Sequence, residues 1–364
     1  MDAWMERYVD ALCGEIDLVS HGLGIKQLTH TIFFGGGTPS HLPNELTARI
    51  MEHLREGFIW AEDMEISLEA NPGTVSLDSL IGLRAMGFNR ISLGVQSTDD
   101  QELKMLGRIH NFSQVKDAVV MARAAGFENL NLDLIYGLPG QSLEDWQQTA
   151  MKVVELKPEH LSLYALTLED GTELSARVRN GVLPEPDADT AADQYEWSGD
   201  YLAGMGYSQY EISNWARGDQ YRCRHNLQYW KNESYIGFGA GAHSYNNHAR
   251  KYNPDAIPDY IHTMKLCDTN PKLHPIIRRD DGEDTFEQMQ DEMMLGLRLV
   301  KEGVDEKEFL DKFGQSPMDI FGEIITDLID KGLLEEYQQP LHGWRLTKRG
   351  RSLGNQVFMQ FVGD

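Results

Sequence analysis

Gly35-Gly36-Gly37-Thr38, followed by Pro39, stands directly after the short apolar run HTIFF. Backbone without a Cβ lets N–H and C=O groups approach a ligand closely. A tight strand-to-helix turn asks for the same residues, and both readings are open. No Gly-Lys-Ser/Thr follows and the spacing is not GxGxxG, so neither a P-loop nor a dinucleotide fingerprint is present. Glu69 ends the next strand-like run, before Ala70-Asn71-Pro72-Gly73. Gln96 follows Gly94-Val95, and Asp133 stands shortly before Tyr136-Gly137-Leu138-Pro139-Gly140. Taken singly, each suits a helix cap or a surface position. Together, Gly36, Gly37 and Thr38, then Glu69, Gln96 and Asp133, mark the C-terminal ends of four successive strands and predict a polar ligand at the mouth of a βα fold. Arg108, in Leu106-Gly107-Arg108, follows the Gln96 strand and can pair a ligand carboxylate bidentately. The alternative for Arg108 is a solvated helix-end arginine.

A second group is Cys223-Arg224-His225-Asn226-Leu227-Gln228-Tyr229-Trp230. His225 offers an imidazole, and Tyr229 and Trp230 offer flat faces. His243 follows the glycine-rich Gly237-Phe238-Gly239-Ala240-Gly241-Ala242. Imidazole or thiolate can ligate haem iron, and aromatic rings can stack on a porphyrin. The same residues also suit an aromatic cluster that packs an extra segment on the fold, with hydrogen-bonded histidines. The chain has 3 cysteines. Cys13, Cys223 and Cys267 stand far apart in sequence, so there is no clustered thiolate motif and no disulfide framework, as in a reducing compartment. Cys13, beside Leu12 in a helical repeat, is expected to be buried.

The elements that must position these residues follow from periodicity. Trp4, Tyr8, Leu12, Ile16 and Val19 lie on one face of an opening helix. Strands are read at HTIFF, Glu65–Leu68, Arg90–Val95, Asn129–Ile135 and His160–Ala165. Helices are read at Glu45–Phe58, Leu77–Met86, Val115–Ala125 and Leu143–Leu156. The strands read as near-continuous apolar runs, as expected when helices cover them. Alternation of this kind predicts parallel strands with crossover helices, closed as a barrel or partial barrel, with a doubly wound open sheet as the competitor. Because the chain begins with a helix, one strand and its loop are expected upstream of Met1. After Leu168 the pattern changes. Asp189–Met205 is helical, and the aromatic segments YSQYEISNWARG, CRHNLQYW and YIGFGAGAHSYNN read as strands and loops wrapped on the barrel. Asn270–Asp284 reads as a linker. Three helical patterns (Phe286–Val300, Asp305–Phe313, Pro317–Lys331), two short strands (LLEEY, GWRLT) and a last helix (Lys348–Phe361) read as a winged-helix-like α+β domain. The divisions are 1–168, 169–270 and 285–364.

The 364 residues suit about two domains at ~150 residues each. Hydrophobic residues make up 41% and charged ones 25%, an ordinary globular balance. The formal net charge of −24 disfavours phosphate backbones and anionic membranes, so no nucleic-acid partner is expected. No stretch of about 18 apolar residues occurs, and the acidic start does not fit a signal peptide, so a soluble, cytoplasmic protein is expected.

GGGTPS, EANPG, GVQS, LGR, DLIYGLPGQ, RHNLQYW and FGAGAHSY, in this order over nearly the whole chain, resemble the radical S-adenosylmethionine proteins of the oxygen-independent coproporphyrinogen oxidase and haem chaperone group. The HNxxYW pattern, His225 to Trp230, resembles the haem-chaperone branch. The resemblance implies a partial (β/α)6 TIM-like barrel, its first strand missing here, with a C-terminal winged-helix-like domain. It implies that Gly36, Gly37 and Thr38 line the amino-acid end of S-adenosylmethionine, that Arg108 and Gln96 hold its polar groups, and that Glu69 and Asp133 accept from its hydroxyls or other donors. It places Tyr164–Thr167 and His243 near the same pocket. It makes His225, Asn226, Tyr229, Trp230 and His243 haem-binding candidates, and a haem-acceptor protein the partner, with membrane contact only through that acceptor. It also implies a 4Fe–4S cluster on a CxxxCxxC loop. The ligand cysteines of that cluster are absent from this sequence, so no catalytic or metal-ligating residue is assigned. The implied function is haem chaperoning. The alternatives are a coproporphyrinogen-type radical enzyme of porphyrin biosynthesis and a cluster-less binding protein.

Overall fold

In the computed structural model, which describes residues 2–246, 248–274, 276, 284–338 and 341–362, helices and strands alternate from the start. The order is α1 (Asp2–Gly22), β1 (Leu28–Phe34), α2 (Asn44–Gly57), β2 (Ile59–Ala70), α3 (Leu77–Met86), β3 (Arg90–Gln96), α4 (Asp100–Met105), α5 (Phe112–Ala124), β4 (Asn129–Tyr136), α6 (Leu143–Glu155) and β5 (His160–Ala165). Local chemistry sets the boundaries. Ser76, Asn111 and Ser142 each cap a helix reciprocally with the side chain three residues on, and Gly87, at φ 108°, ends α3 in the left-handed region. In α1 the buried face is Val9, Leu12, Cys13, Ile16 and Val19, while Trp4, expected on that face, is half exposed with Arg7 over its ring.

Strands β1 to β5 lie side by side in chain order and run parallel. Their sequences are not continuous apolar runs, which corrects the expectation. They alternate: Glu65-Ile66-Ser67-Leu68-Glu69, Arg90-Ile91-Ser92-Leu93-Gly94, Asn131-Leu132-Asp133-Leu134 and His160-Leu161-Ser162-Leu163. Successive side chains of a strand point to opposite faces. The Leu and Ile residues join one cluster with the covering helices. The polar residues meet each other on the opposite, concave face. Each apolar side chain buried outside is worth about 1.5–3 kcal/mol. The outer layer therefore supplies most of the cohesion, and the concave face is left free for polar work.

After α7 (Glu173–Arg179) and α8 (Ala188–Gly204), β6 (Ser208–Glu211) and β7 (Asn214–Ala216) form a hairpin. This hairpin does not wrap on the barrel. It extends the same sheet, with β7 antiparallel to β5, giving a curled seven-stranded half-barrel. CRHNLQYW is not extended either: Arg224–Trp230 is a short helix, α9, packed against β1. The hairpin β8 (His243–Asn246) and β9 (Ala249–Tyr252) and the helix α10 (Ile257–Thr269) follow, with α10 on α1.

A buried carboxylate ties these last pieces together. Glu15 accepts from Gly239 N–H (2.8 Å), Asn253 Nδ2 (2.7 Å), Tyr260 Oη (2.7 Å) and His274 Nε2 (2.9 Å). His274 Nδ1 accepts from Ile276 N–H at 3.2 Å, which assigns the ring proton to Nε2. The expected linker, Asn270–Asp284, thus contains a fully buried histidine near its start, and most of it lies outside the described residues.

The C-terminal part has its own core around Phe309, Phe321, Ile325, Trp344 and Phe361. Its elements are α11 (Thr285–Gly296), β10 (Val304–Asp305), α12 (Glu306–Phe313), α13 (Pro317–Asp330), β11 (Leu334–Tyr337), β12 (Gly343–Leu346), α14 (Lys348–Ser352) and α15 (Gly354–Val362). The two expected strands gain a third, β10, and the expected last helix is two, α14 and α15.

Candidate functional site

The C-terminal ends of β1 to β4 form a rim. The turn after β1 leaves Gly36 at φ 87°, a conformation that favours glycine, and side chains added at Gly36 or Gly37 would meet open space. The glycines are therefore not required by packing. They leave backbone exposed at the rim. Gly36 N–H donates to the Glu69 carboxylate. Burial and the nearby Asp133 charge push the Glu69 carboxyl up to about 7, against the pull of the Gly36 bond. Thr38 turns its hydroxyl onto the Gly37 carbonyl at 2.7 Å.

β3 ends in a tight turn in which Ser97 N–H reaches Val95 C=O at 2.9 Å, with Gln96 at φ 67°. A non-glycine residue in this region is strained, and such strain concentrates at ligand sites. The Gln96 amide fills the space over Gly94, the register partner of Asp133. Asp133 itself accepts from Ser92 Oγ (2.6 Å) and Asn131 Nδ2 (2.7 Å), and burial holds its carboxyl above the ordinary range. Arg108, in the turn after α4, feels the Asp133 charge, and its buried Nε has no hydrogen-bond partner. Tyr164, on β5, is exposed and also senses Asp133. The structure thus gathers Gly36, Glu69, Gln96, Arg108 and Asp133 at one place. Two carboxylates with raised pKa values and an unsatisfied arginine suit a ligand that carries both a positive charge and a carboxylate.

Below the rim the concave face is polar throughout, which the reading of the strands as apolar missed. Glu65 lies four residues before Glu69 on the same face, roughly 13 Å deeper. It accepts from the N–H groups of Arg224 (3.0 Å) and His225 (3.1 Å). Arg90 is buried beside Cys223, Glu65, Tyr210 and Asp133. Burial opposes its charge, and these neighbours outweigh that effect and raise its pKa. The sequence signal was present in the strict alternation of polar with Leu or Ile residues.

His225 projects from α9 into this interior. Its ring stacks on Phe33 (4.9 Å, 10°). Nδ1 meets Thr31 Oγ1 at 2.9 Å, and Nε2 meets Tyr229 Oη at 2.8 Å. Thr31 Oγ1 donates to Gln228 Oε1 at 3.3 Å, so His225 Nδ1 carries the proton and Nε2 accepts from Tyr229. Burial pushes the His225 pKa down to about 4. Tyr229 packs edge-on to Tyr235, and Trp230 lies under Arg298. Asn226 is half-buried on the same helix. His243 stands apart from this group, exposed on the β8–β9 hairpin with its ring against Tyr252 (5.8 Å).

Among the described residues no group of three or more His, Cys, Asp or Glu side chains is placed to hold a metal ion. Cys13 on α1, Cys223 at the start of α9 and Cys267 on α10 are buried and free. Burial pushes the Cys13 thiol up to about 11 and the Cys223 thiol up to about 12. Three buried thiols on three separate elements do not fit an iron–sulfur cluster. Also among the described residues, no helix is long and apolar enough to cross a membrane.

Residues 16–153 match the radical SAM superfamily model, and residues 286–353 match that of the HemN C-terminal domain. The chain is 38% identical over 362 residues to heme chaperone HemW of Bacillus subtilis, covering 99% of this chain and 92% of that protein. It is 42% identical over 369 residues to heme chaperone HemW of Escherichia coli, covering 98% and 90%. In structure it resembles coproporphyrinogen III oxidase (HemN) of Escherichia coli, with a TM-score of 0.81 over 98% of this chain and 83% of that one. At 24% identity, that likeness carries the fold.

Proposed function

The chain belongs to the heme chaperone HemW family of radical SAM proteins, and we propose on that footing that it binds haem and S-adenosylmethionine and passes haem to an acceptor protein. The observation that supports the cofactor half is the buried, unpartnered Arg108 Nε on a guanidinium that senses Asp133, whose charge also acts on Glu69, both carboxyls being raised by burial. Arg108 holds the cofactor's carboxylate. Glu69 and Asp133 ionise beside its positive charge and accept from its hydroxyls. Gly36 and Gly37 offer backbone to its amino-acid end, and Gln96 supplies an amide. When bound, S-adenosylmethionine supplies a sulfonium group, and the residues of this chain bind and orient it. Cys13, Cys223 and Cys267 do not fit the cluster expected of the family, and the role proposed for the rim residues is recognition.

For haem, α9 presents an imidazole flanked by Tyr229 and Trp230, and His243 offers an exposed one. The test is a haem titration followed by the Soret band, with wild type, His225→Ala and His243→Ala. Stoichiometric uptake lost in His225→Ala supports α9 as the haem site. Uptake unchanged in both variants removes both histidines. Calorimetry with S-adenosylmethionine tests the rim. Arg108→Ala should weaken binding by ~2 kcal/mol, about 30-fold, as for a lost charge-assisted pair, and equal affinity rejects that role.

The coproporphyrinogen-type reading asks for free basic residues to meet several substrate carboxylates. Of the local cluster Arg217, Arg222 and Arg224, Arg222 is paired with Asp219 and Glu302 and Arg224 with Asp63, while Arg217 lies over the Tyr207 ring, so two of the three are already neutralised. That favours the chaperone reading. We place the protein in the cytoplasm with a protein partner and no nucleic acid, in keeping with its net charge of −24.

A further inference from the structure

A chain of hydrogen bonds crosses the barrel interior from α9 to the rim. Cys223 N–H, at the start of α9, meets Tyr210 Oη at 3.2 Å. Tyr210 Oη meets His160 Nε2 at 2.8 Å, and His160 Nδ1 meets Asn131 Oδ1 at 2.5 Å. Asn131 Nδ2 reaches Asp133 Oδ1 and Ser92 Oγ, each at 2.7 Å, and Ser92 Oγ reaches Asp133 Oδ2 at 2.6 Å. Tyr210 and His160 are fully buried, and Asn131 is 2% exposed.

The direction of each bond can be assigned. An ionised Asp133 only accepts, so Asn131 turns its Nδ2 toward it and its Oδ1 away. Oδ1 also only accepts, so His160 Nδ1–H and Ser162 Oγ–H (3.1 Å) both donate to it. Burial, with Arg90 nearby, keeps His160 neutral, so its Nε2 is an acceptor and Tyr210 donates its O–H there. Cys223 N–H then donates to the Tyr210 oxygen. Every link points toward Asp133. Such networks are costly to bury unless complete, and complete ones fix geometry.

We propose that His160 is a positioning residue: through Asn131 it holds Asp133 turned to the rim, and through Tyr210 it couples that carboxylate to the seating of α9. Neither His160 nor Tyr210 reaches the rim, so their effect is indirect. The proposal rests on the reading that the rim holds S-adenosylmethionine, but its first measurement does not use that ligand. The other titratable groups facing Asp133 are Glu69 from β2, Arg90 from β3, Arg108 from the turn after α4 and Tyr164 from β5. They are unchanged in the variants below.

The experiment uses the full chain with labelled aspartate and histidine. The Asp133 carboxyl signal is identified by its loss in Asp133→Asn and titrated by carbon NMR. In His160→Leu its midpoint should rise by about one pH unit, the equivalent of tenfold in ionisation. In His160→Asn the amide N–H replaces Nδ1–H, and the midpoint should return toward wild type. Nitrogen NMR of the wild type should show His160 protonated on Nδ1. Calorimetry should then show S-adenosylmethionine bound roughly tenfold more weakly by His160→Leu, and more weakly than wild type by Tyr210→Phe, which lies off the rim. A proton on Nε2, or an unmoved Asp133 midpoint in folded His160→Leu, overturns the proposal. Wild-type affinity in folded Tyr210→Phe overturns the coupling to α9. If His160→Leu does not fold, the wild-type tautomer and the His160→Asn and Tyr210→Phe titrations decide. If the wild type binds no S-adenosylmethionine while the midpoint moves as expected, the ligand assignment fails and the positioning role stands.

Discussion

The Arg298 guanidinium lies 4.1 Å from the centre of the Trp230 ring, and its Nη2 lies 3.8 Å from Glu211 Oε2. Arg298 follows α11 and Trp230 ends α9, so this contact joins the C-terminal part to the helix inside the half-barrel. Glu211 is fully buried, and Arg298 is the cation beside it. Arg298→Ala should cost about 2 kcal/mol, since it leaves a buried carboxylate without its counter-charge and Trp230 without its cover. Urea unfolding reads this as a lower midpoint with an unchanged slope. A midpoint equal to wild type would show that the contact is only steric.

Glu69 makes stability and ligand affinity respond oppositely to pH. Its carboxyl is raised to about 7 in the folded chain, so its contribution to stability is complete below about pH 4.5 and is lost as pH rises through about 7. Over the same window the anion forms, and affinity for a cationic ligand should rise by up to roughly tenfold per pH unit. Glu69→Gln should flatten both curves. Unfolding and calorimetry at pH 5, 6, 7 and 8 check this, and parallel slopes in variant and wild type reject it.

Tyr229 occupies the lone pair of His225 that could bind iron. If His225 is the haem ligand, Tyr229 competes with the metal. Tyr229→Phe removes one hydrogen bond worth about 1 kcal/mol, so haem should bind roughly fivefold more tightly with a sharper Soret shift. Weaker haem uptake in a folded Tyr229→Phe would instead make the phenol itself part of the haem contact.

In the C-terminal sheet, His342 sits between two carboxylates, with Nδ1 2.6 Å from Glu306 Oε2 and Nε2 2.7 Å from Glu336 Oε1. Donation from both nitrogens requires the imidazolium. The hydrogen bonds to Glu306 and Glu336 raise its pKa above the ordinary value. The stability it contributes is complete below about pH 6.5 and is lost as pH rises through the raised value. His342→Gln should remove that decline from the unfolding midpoint between pH 6 and 8, and salt should weaken it in the wild type. A decline as steep in the variant as in the wild type would assign it to another group, since only the share that Glu69 contributes should remain.

Several elements were legible because their ends are written locally. Helix α3 and strand β5 match their expected bounds residue for residue, since Ser76 and Gly87 bracket one and Pro158 and the alternation frame the other. Glu69 and Gln96 were legible for the same reason, since they stand at the ends of β2 and β3, whereas Asp133 lies three residues inside the end of β4. Helix α9 was not. It is seven residues long, and its N-cap residue, Cys223, makes no capping bond, so burial against β1 and the Glu65 carboxylate hold it rather than any local preference. The polar interior was overlooked because Ile66, Leu68, Leu132 and Leu161 dominate the hydropathy, while the residues between them are partnered only across strands. The turn at Gln96 carries no glycine to announce it.

The alternation in the strands has a consequence for assembly. Shifting any one of β2 to β5 by a single residue would swing its carboxylates, amides or imidazole into the greasy mantle of helices and push leucines among the buried polar groups of the interior. Misaligned pairings therefore penalise themselves twice, and the polar interior also proofreads the sheet that builds it.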